Sequence, residues 1–226
     1  MTRSRVALSM ALAAGLVGFG PSAAQASTLD VLLNSSITCG DKLFDQFGYV
    51  LTGDANVAAD DVDVQCTLDN FGNIGLQFAA PWEDHAGGAA SDYLLTFNVS
   101  VLDPGRSIID AHIFGNPDGV NGGFSAISEA FGPPAACLSP DGEDHLTISS
   151  FTSTSDSCIF AVGLSVLSVT KDIFLDGGPA PNGRAFLSHV DQSFSQTPIP
   201  EPASLVLLGS GLLVGAARWR KQRAKA

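Results

Sequence analysis

The stretch DYLLTFNVSVL, residues 92–102, decides the fold class. Tyr93, Leu95, Phe97, Val99 and Val101 fall on one side of an extended chain, and Leu94, Thr96, Asn98 and Ser100 on the other. Successive side chains of a strand point to opposite faces, so this alternation predicts a half-buried antiparallel strand. Asp103-Pro104-Gly105 follows as a turn. SIIDAHIF, residues 107–114, then alternates Ile109, Ala111 and Ile113 against Asp110 and His112, and the two runs together predict a hairpin.

Working outward, SCIFAVGLSVLSVT from Ser157 is apolar on both sides, with Cys158, Phe160, Val162, Leu164 and Val166 on one and Ile159, Ala161, Gly163 and Leu167 on the other. Burial on both faces predicts a central strand. Shorter candidates are TLDVLL from Thr28, VDVQC from Val62, IGLQFA from Ile74, FSAISEAF from Phe124, HLTISSF from His145, DIFLD from Asp172 and RAFLSHVDQSF from Arg184. Turn formers separate them, at Asn70 to Asn73, Gly87-Gly88, Asn116 to Gly123, Pro133-Pro134, Pro140 to Gly142 and Gly177 to Gly183. Many short strands without an amphipathic helix predict an all-β fold, a β-sandwich of jelly-roll-like form.

The two ends differ from this middle. Residues 1–26 place Arg3 and Arg5 before the apolar run Val6 to Phe19 and end in Ala24-Gln25-Ala26, the pattern of a secretory signal peptide cleaved between Ala26 and Ser27. The domain expected to follow runs over residues 27–196, long enough to bury its own core. All 23 acidic residues lie between Asp30 and Glu201, where only Lys42, Arg106, Lys171 and Arg184 oppose them, a balance of −19. Such a surface repels nucleic acid. Cys39, Cys66, Cys137 and Cys158 are an even set in an exported chain and predict two disulfides; three pairings are open, and loop entropy slightly favours joining near neighbours.

Residues 197–226 form a tail of another composition. Pro202 to Ala217 carries no charge and would span about 24 Å as a helix. With Trp219 at the interface, a membrane helix is expected over about 202–219, stopped by Arg218, Arg220, Lys221, Arg223 and Lys225 on the cytoplasmic side. Pro200-Glu201-Pro202 precedes it. Proline fixes φ and lacks a donor, so this segment stays extended and open to a processing enzyme.

The order Pro200-Glu201-Pro202-Ala203-Ser204-Leu205, glycine-containing span and basic end resembles the PEP-CTERM sorting tail. VTKDIFLDGG from Val169 and FSQ from Phe194 also look like ectodomains carried by that family. The resemblance implies a substrate of exosortase, held at the inner membrane of a Gram-negative bacterium and then processed near the motif and sent to the surface or outside. Exopolysaccharide of a biofilm matrix is the setting it implies, with a structural or adhesive role.

Chemistry is sparse. No GxSxG, HExxH or GxxxxGK[ST] motif occurs, and no enzyme activity or cofactor is expected. Glu83-Asp84-His85 and Glu143-Asp144-His145 each offer two carboxylates and an imidazole, the material of a metal site or a hydrolase, but solvated turns are the expected reading. Asp60-Asp61-Val62-Asp63 and the Asn116 to Gly123 loop suit calcium without matching an EF-hand. Trp82 and Tyr93 are the large aromatics available for a sugar platform, with core packing the expected use. A carbohydrate- or calcium-binding module is therefore the alternative function.

Overall fold

The computed structural model describes residues 26–133, 135, 137–138 and 144–199. Residues 1–25, with Ala24, and residues 200–226, with the Pro200-Glu201-Pro202 motif, the expected membrane helix and Arg218, Arg220, Lys221, Arg223 and Lys225, lie outside them. Among the described residues fifteen strands follow in chain order: β1 (Ala26–Thr28), β2 (Ile37–Cys39), β3 (Lys42–Gly53), β4 (Asp63–Leu68), β5 (Ile74–His85), β6 (Ser91–Val101), β7 (Arg106–Gly115) and β8 (Asp118–Val120). Then come β9 (Phe124–Phe131), β10 (Cys137–Leu138), β11 (Leu146–Ser149), β12 (Ser155–Leu164), β13 (Val166–Asp176), β14 (Arg184–Phe194) and β15 (Gln196–Pro198). One short helix, α1 (Leu29–Leu32), follows β1.

The strands form two antiparallel sheets packed as a β-sandwich. The larger runs β1-β4-β5-β14-β7-β12-β10, with β15 added to β7 and β8 to β14; the smaller runs β11-β9-β13-β6-β3-β2. The core lies between them. Phe44 and Phe97 from the smaller sheet meet Phe78 and Phe194 from the larger, with ring centroids 5.7–6.2 Å apart, a spacing at which tilted aromatic pairs attract. Beside them Trp82 donates its indole N–H to Tyr49 Oη at 3.3 Å, and Tyr49 donates to the Val57 carbonyl at 3.1 Å. Burial pushes the Tyr49 phenol well above its ordinary value.

The alternation of residues 93–101 is realised in β6, whose Tyr93, Leu95, Phe97 and Val99 are buried. The hairpin expectation is not. β6 already has β3 on one edge and β13 on the other, so it has no free edge for β7, and Asp103-Pro104-Gly105 carries the chain across to the other sheet. The expected central strand from Ser157 is likewise two strands. β12 sits near the edge of the larger sheet with Ile159 and Val162 exposed, and beyond Ser165 the chain enters the smaller sheet as β13. The inward residues change parity there, from Cys158, Phe160 and Leu164 to Leu167, Val169, Lys171, Ile173 and Leu175. β13 lies between β9 and β6.

TLDVLL is corrected as well. Only Thr28 is extended; Leu29 and Leu32, spaced three apart, are both buried on one side of α1 while Val31 faces solvent, a helical spacing. Sequence reading missed β3 because a bulge between Asp45 and Gly48, with Gln46 at φ 53°, breaks its two-residue period: Lys42 and Phe44 point inward, then Phe47. The larger sheet also runs past the expected domain limit at residue 196, since β15 pairs Gln196, Thr197 and Pro198 with Ile108, Ser107 and Arg106.

Candidate functional site

The outward face of the larger sheet carries a groove of about 680 Å³ between the Asp69 to Asn73 turn and strands β14, β7 and β12. Register aligns this face in rows, whose members Thr67, Asp191, Ser193, His112, Phe114, Ser155 and Ser157 line the groove. One row across the sheet is Gln65, Gln77, Asp191, Phe114 and Ser155, each directly opposite the next; the adjacent row is Thr67, Gly75, Ser193, His112 and Ser157. Inward neighbours Val64, Leu76, Val190 and Ile113 enter the core, so alternation on β4, β5, β14 and β7 turns the residues between them outward; on β12 Ser155, Asp156 and Ser157 all line the groove.

Hydrogen bonds fix this face. Gln65 donates to Gln77, whose own amide donates to Asp191 Oδ1 at 2.8 Å. Ser193 Oγ donates to Asp69 Oδ2 at 2.8 Å, and the Asn73 amide donates to the same carboxylate. Partial burial would raise the Asp69 carboxyl, but the donors from Asn73, Ser193 and the Phe71 backbone outweigh it and hold its pKa below the ordinary value. His112 Nε2 lies 3.1 Å from Asp110 Oδ1, which also accepts the Ser195 N–H at 2.9 Å. For Asp110, burial raises the pKa and these donors lower it, with a net fall; for His112 the bond to Asp110 outweighs burial and raises it.

Two aromatic rings frame the groove. Phe71, at the tip of the turn, is 85% exposed, and Phe114 is partly exposed with its ring 5.9 Å from that of His189. Aromatic faces beside a few fixed polar groups in a concavity are the material of a ligand site. The groove therefore offers carboxylates, amides and hydroxyls in fixed positions beside apolar ring faces. Among the described residues Ser193 Oγ donates to Asp69, and His112 is paired with Asp110.

The residues expected from sequence fall elsewhere. In Glu83-Asp84-His85, strand alternation separates the acids: Asp84 points inward to Ser91 Oγ (2.7 Å) and the Gly177 N–H (2.6 Å), while Glu83 faces Arg184 and His85 outside. His145 precedes β11 in the other sheet and bonds Asp144; Glu143 lies outside the described residues. Asp60, Asp61 and Asp63 are exposed around a 3-10 turn, and no cluster suited to a metal occurs among the described residues. Trp82 and Tyr93 are core residues. Cys39 is bonded to Cys66 and Cys137 to Cys158. Ala26 and Ser27 lie in β1, opposite Gln65 and Val64. In the sequence Asn70 to Asn73 reads only as a turn, which hides the roles of Asp69 and Phe71; Asp191 and His112 come together through register across strands far apart in sequence.

The fold and groove define the class, an all-β sandwich with a polar, aromatic-edged outer face. Its C-terminal end is more specific: residues 198–221 match the PEP-CTERM protein-sorting motif, which marks an exported surface protein processed by exosortase. A comparison with curated proteins returns no match. Among solved structures, TmCBM61 in complex with beta-1,4-galactotriose is similar at 12% identity and a TM-score of 0.30, over 65% of this chain and 88% of that one. The enzymatically active domain of bacteriophage CBA120 tailspike protein 4 is similar at 14% identity and 0.26, over 66% of this chain and 19% of that one. Likeness of that extent carries nothing about function. Among the described residues no helix is long and apolar enough to cross a membrane.

Proposed function

We propose that the chain is a non-enzymatic, adhesive component of an extracellular polysaccharide matrix, held at the inner membrane by its tail before exosortase releases it to the surface. The groove on the larger sheet is its contact with polysaccharide. The supporting observation is the meeting of fixed polar rows with Phe71 and Phe114 on one concave face: sugar hydroxyls need paired donors and acceptors, and the apolar face of a pyranose ring stacks on an aromatic side chain. Asp69, Asp156 and Asp191 line the groove, and a field of that sign favours neutral or amino sugars over uronates.

Affinity electrophoresis of the exported chain through gels containing neutral, amino-sugar or uronate polysaccharides tests this. Retardation by the first two, reduced in Phe71→Ala and Asp191→Ala, is expected. Unchanged mobility in every gel, with calcium present or absent, would remove the reading.

A further inference from the structure

Three side chains that the groove does not use meet inside the sandwich. Lys171 on β13, Glu129 on β9 and Gln192 on β14 are all completely buried. Lys171 and Glu129 are direct cross-strand partners in the smaller sheet. Gln192 reaches them from the larger sheet, so the cluster bridges the two layers. Lys171 Nζ donates to Glu129 Oε2 and, at 2.9 Å, to Gln192 Oε1. Glu129 Oε1 and Gln192 Nε2 make no hydrogen bond of good geometry, although the Gln192 amide lies near enough to the Glu129 carboxyl to favour its charged form.

As a structural ion pair this is costly, because two ions leave water for an apolar core while one oxygen and one amide nitrogen lack a well-formed hydrogen bond. As a reacting set it is coherent. Burial drives the Lys171 amine down and the Glu129 carboxyl up, and the charges of the pair only partly offset this. Both groups are thereby favoured in their neutral forms, a free amine nucleophile beside a carboxylic acid. The amine is held against the carbonyl end of an amide whose nitrogen has no well-formed hydrogen bond to lose.

We propose that Lys171 and Gln192 join in an intramolecular isopeptide bond, with Glu129 as the group that moves the protons. Lys171 Nζ attacks Gln192 Cδ and forms the N–C bond. Glu129 gives its proton to the departing amide nitrogen and takes one from the attacking nitrogen. The Cδ–Nε2 bond breaks and ammonia leaves. One amine and one primary amide become one secondary amide and ammonia, with no change of oxidation state and no co-reactant. The product ties the two sheets together covalently.

The test is the mass of the whole exported chain purified under oxidising conditions. Beyond the hydrogens lost to two disulfides, it should fall short of the sequence mass by one ammonia, about 17 Da. Proteolysis should yield a branched peptide joining the segment around Lys171 to that around Gln192. This localisation matters because the Asn121-Gly122 and Asn182-Gly183 steps can also lose ammonia through a cyclic imide. Linear peptides carrying a free Lys171 amine and an intact Gln192 amide would overturn the proposal without any variant. Glu129→Gln, which keeps the side-chain volume, should fold without the branched peptide; the branch forming there would overturn the role given to Glu129. Lys171→Met should remove both branch and mass deficit.

Discussion

Asp172 offers a quantitative test of the packing outside the core. It sits on the solvent side of β13, and its carboxyl is pushed from 3.8 up to about 6 by burial first, then by the hydrogen bond and charge of Asp92. The fold thus prefers the protonated form. A group with a raised folded pKa contributes stability that is complete below its unfolded value, near 3.8, and lost as pH rises to and through about 6. Two units correspond to about 3 kcal/mol as a ceiling, and solvent access to the partly open carboxyl reduces this to about 1 kcal/mol. Asp172→Asn keeps the shape and removes the titration. Urea unfolding from pH 4 to 8 should show the variant about 1 kcal/mol more stable than the parent at pH 7.5, with the gap closing toward pH 4. A gap independent of pH, or a parent more stable at pH 7.5, would refute the reasoning.

Two other outcomes follow from the same structure and a third from the sequence. Replacing Cys39 and Cys66 by alanine opens a loop with a separation of 27 residues and should cost about 3.5 kcal/mol in thermal or denaturant unfolding; no loss would mean that the bond is absent from the exported protein. Gly75→Ala should yield little folded protein, because the added Cβ would lie 1.7 Å from the Gln192 carbonyl oxygen, backbone that cannot yield without separating β5 from β14; a normal melting curve would contradict that register. Replacing Pro200, Glu201 and Pro202 together by alanine should leave the chain unprocessed in the membrane fraction of its host, read by intact mass, whereas unchanged fractionation would count against the motif as the signal.

The sandwich was legible wherever one strand kept a strict two-residue period. β6 has it, and so do most of β9, β13 and β14, whereas β7 changes parity between Ile108 and Ala111. The period does not carry pairing, since the same Asp-Pro-Gly turn serves a hairpin or a crossing between sheets, and only the occupied edges of β6 decide between them. Bulges hide strands, as at Gln46 in β3, and a parity change at Ser165 splits an apolar run that looked continuous. The groove was illegible for a related reason: His112, Asp191 and Ser155 are far apart in sequence and meet by register alone. The period itself turns Lys171 inward with Val169 and Ile173, and Glu129 inward with Ile127; what the sequence does not carry is that Gln192 of the other sheet meets them there.

The way β15 lies against β7 also has a mechanical consequence. The ladder ends at Pro198, and the Ile199 N–H still bonds the Gly105 carbonyl at 2.7 Å. The matched motif thus begins on the last strand residue, and Pro200, the first residue of Pro200-Glu201-Pro202, is at most about 7 Å further along the chain. A pull on the C-terminus, whether by the processing enzyme or by an attached surface, loads this three-residue strand first. Peeling it away as far as Ser195 releases a slack of about 18 Å at most. The tension then reaches β14, which is clamped between β5 and β7 and cannot peel from one side, so the fold has a short compliant leader in series with a stiff interior.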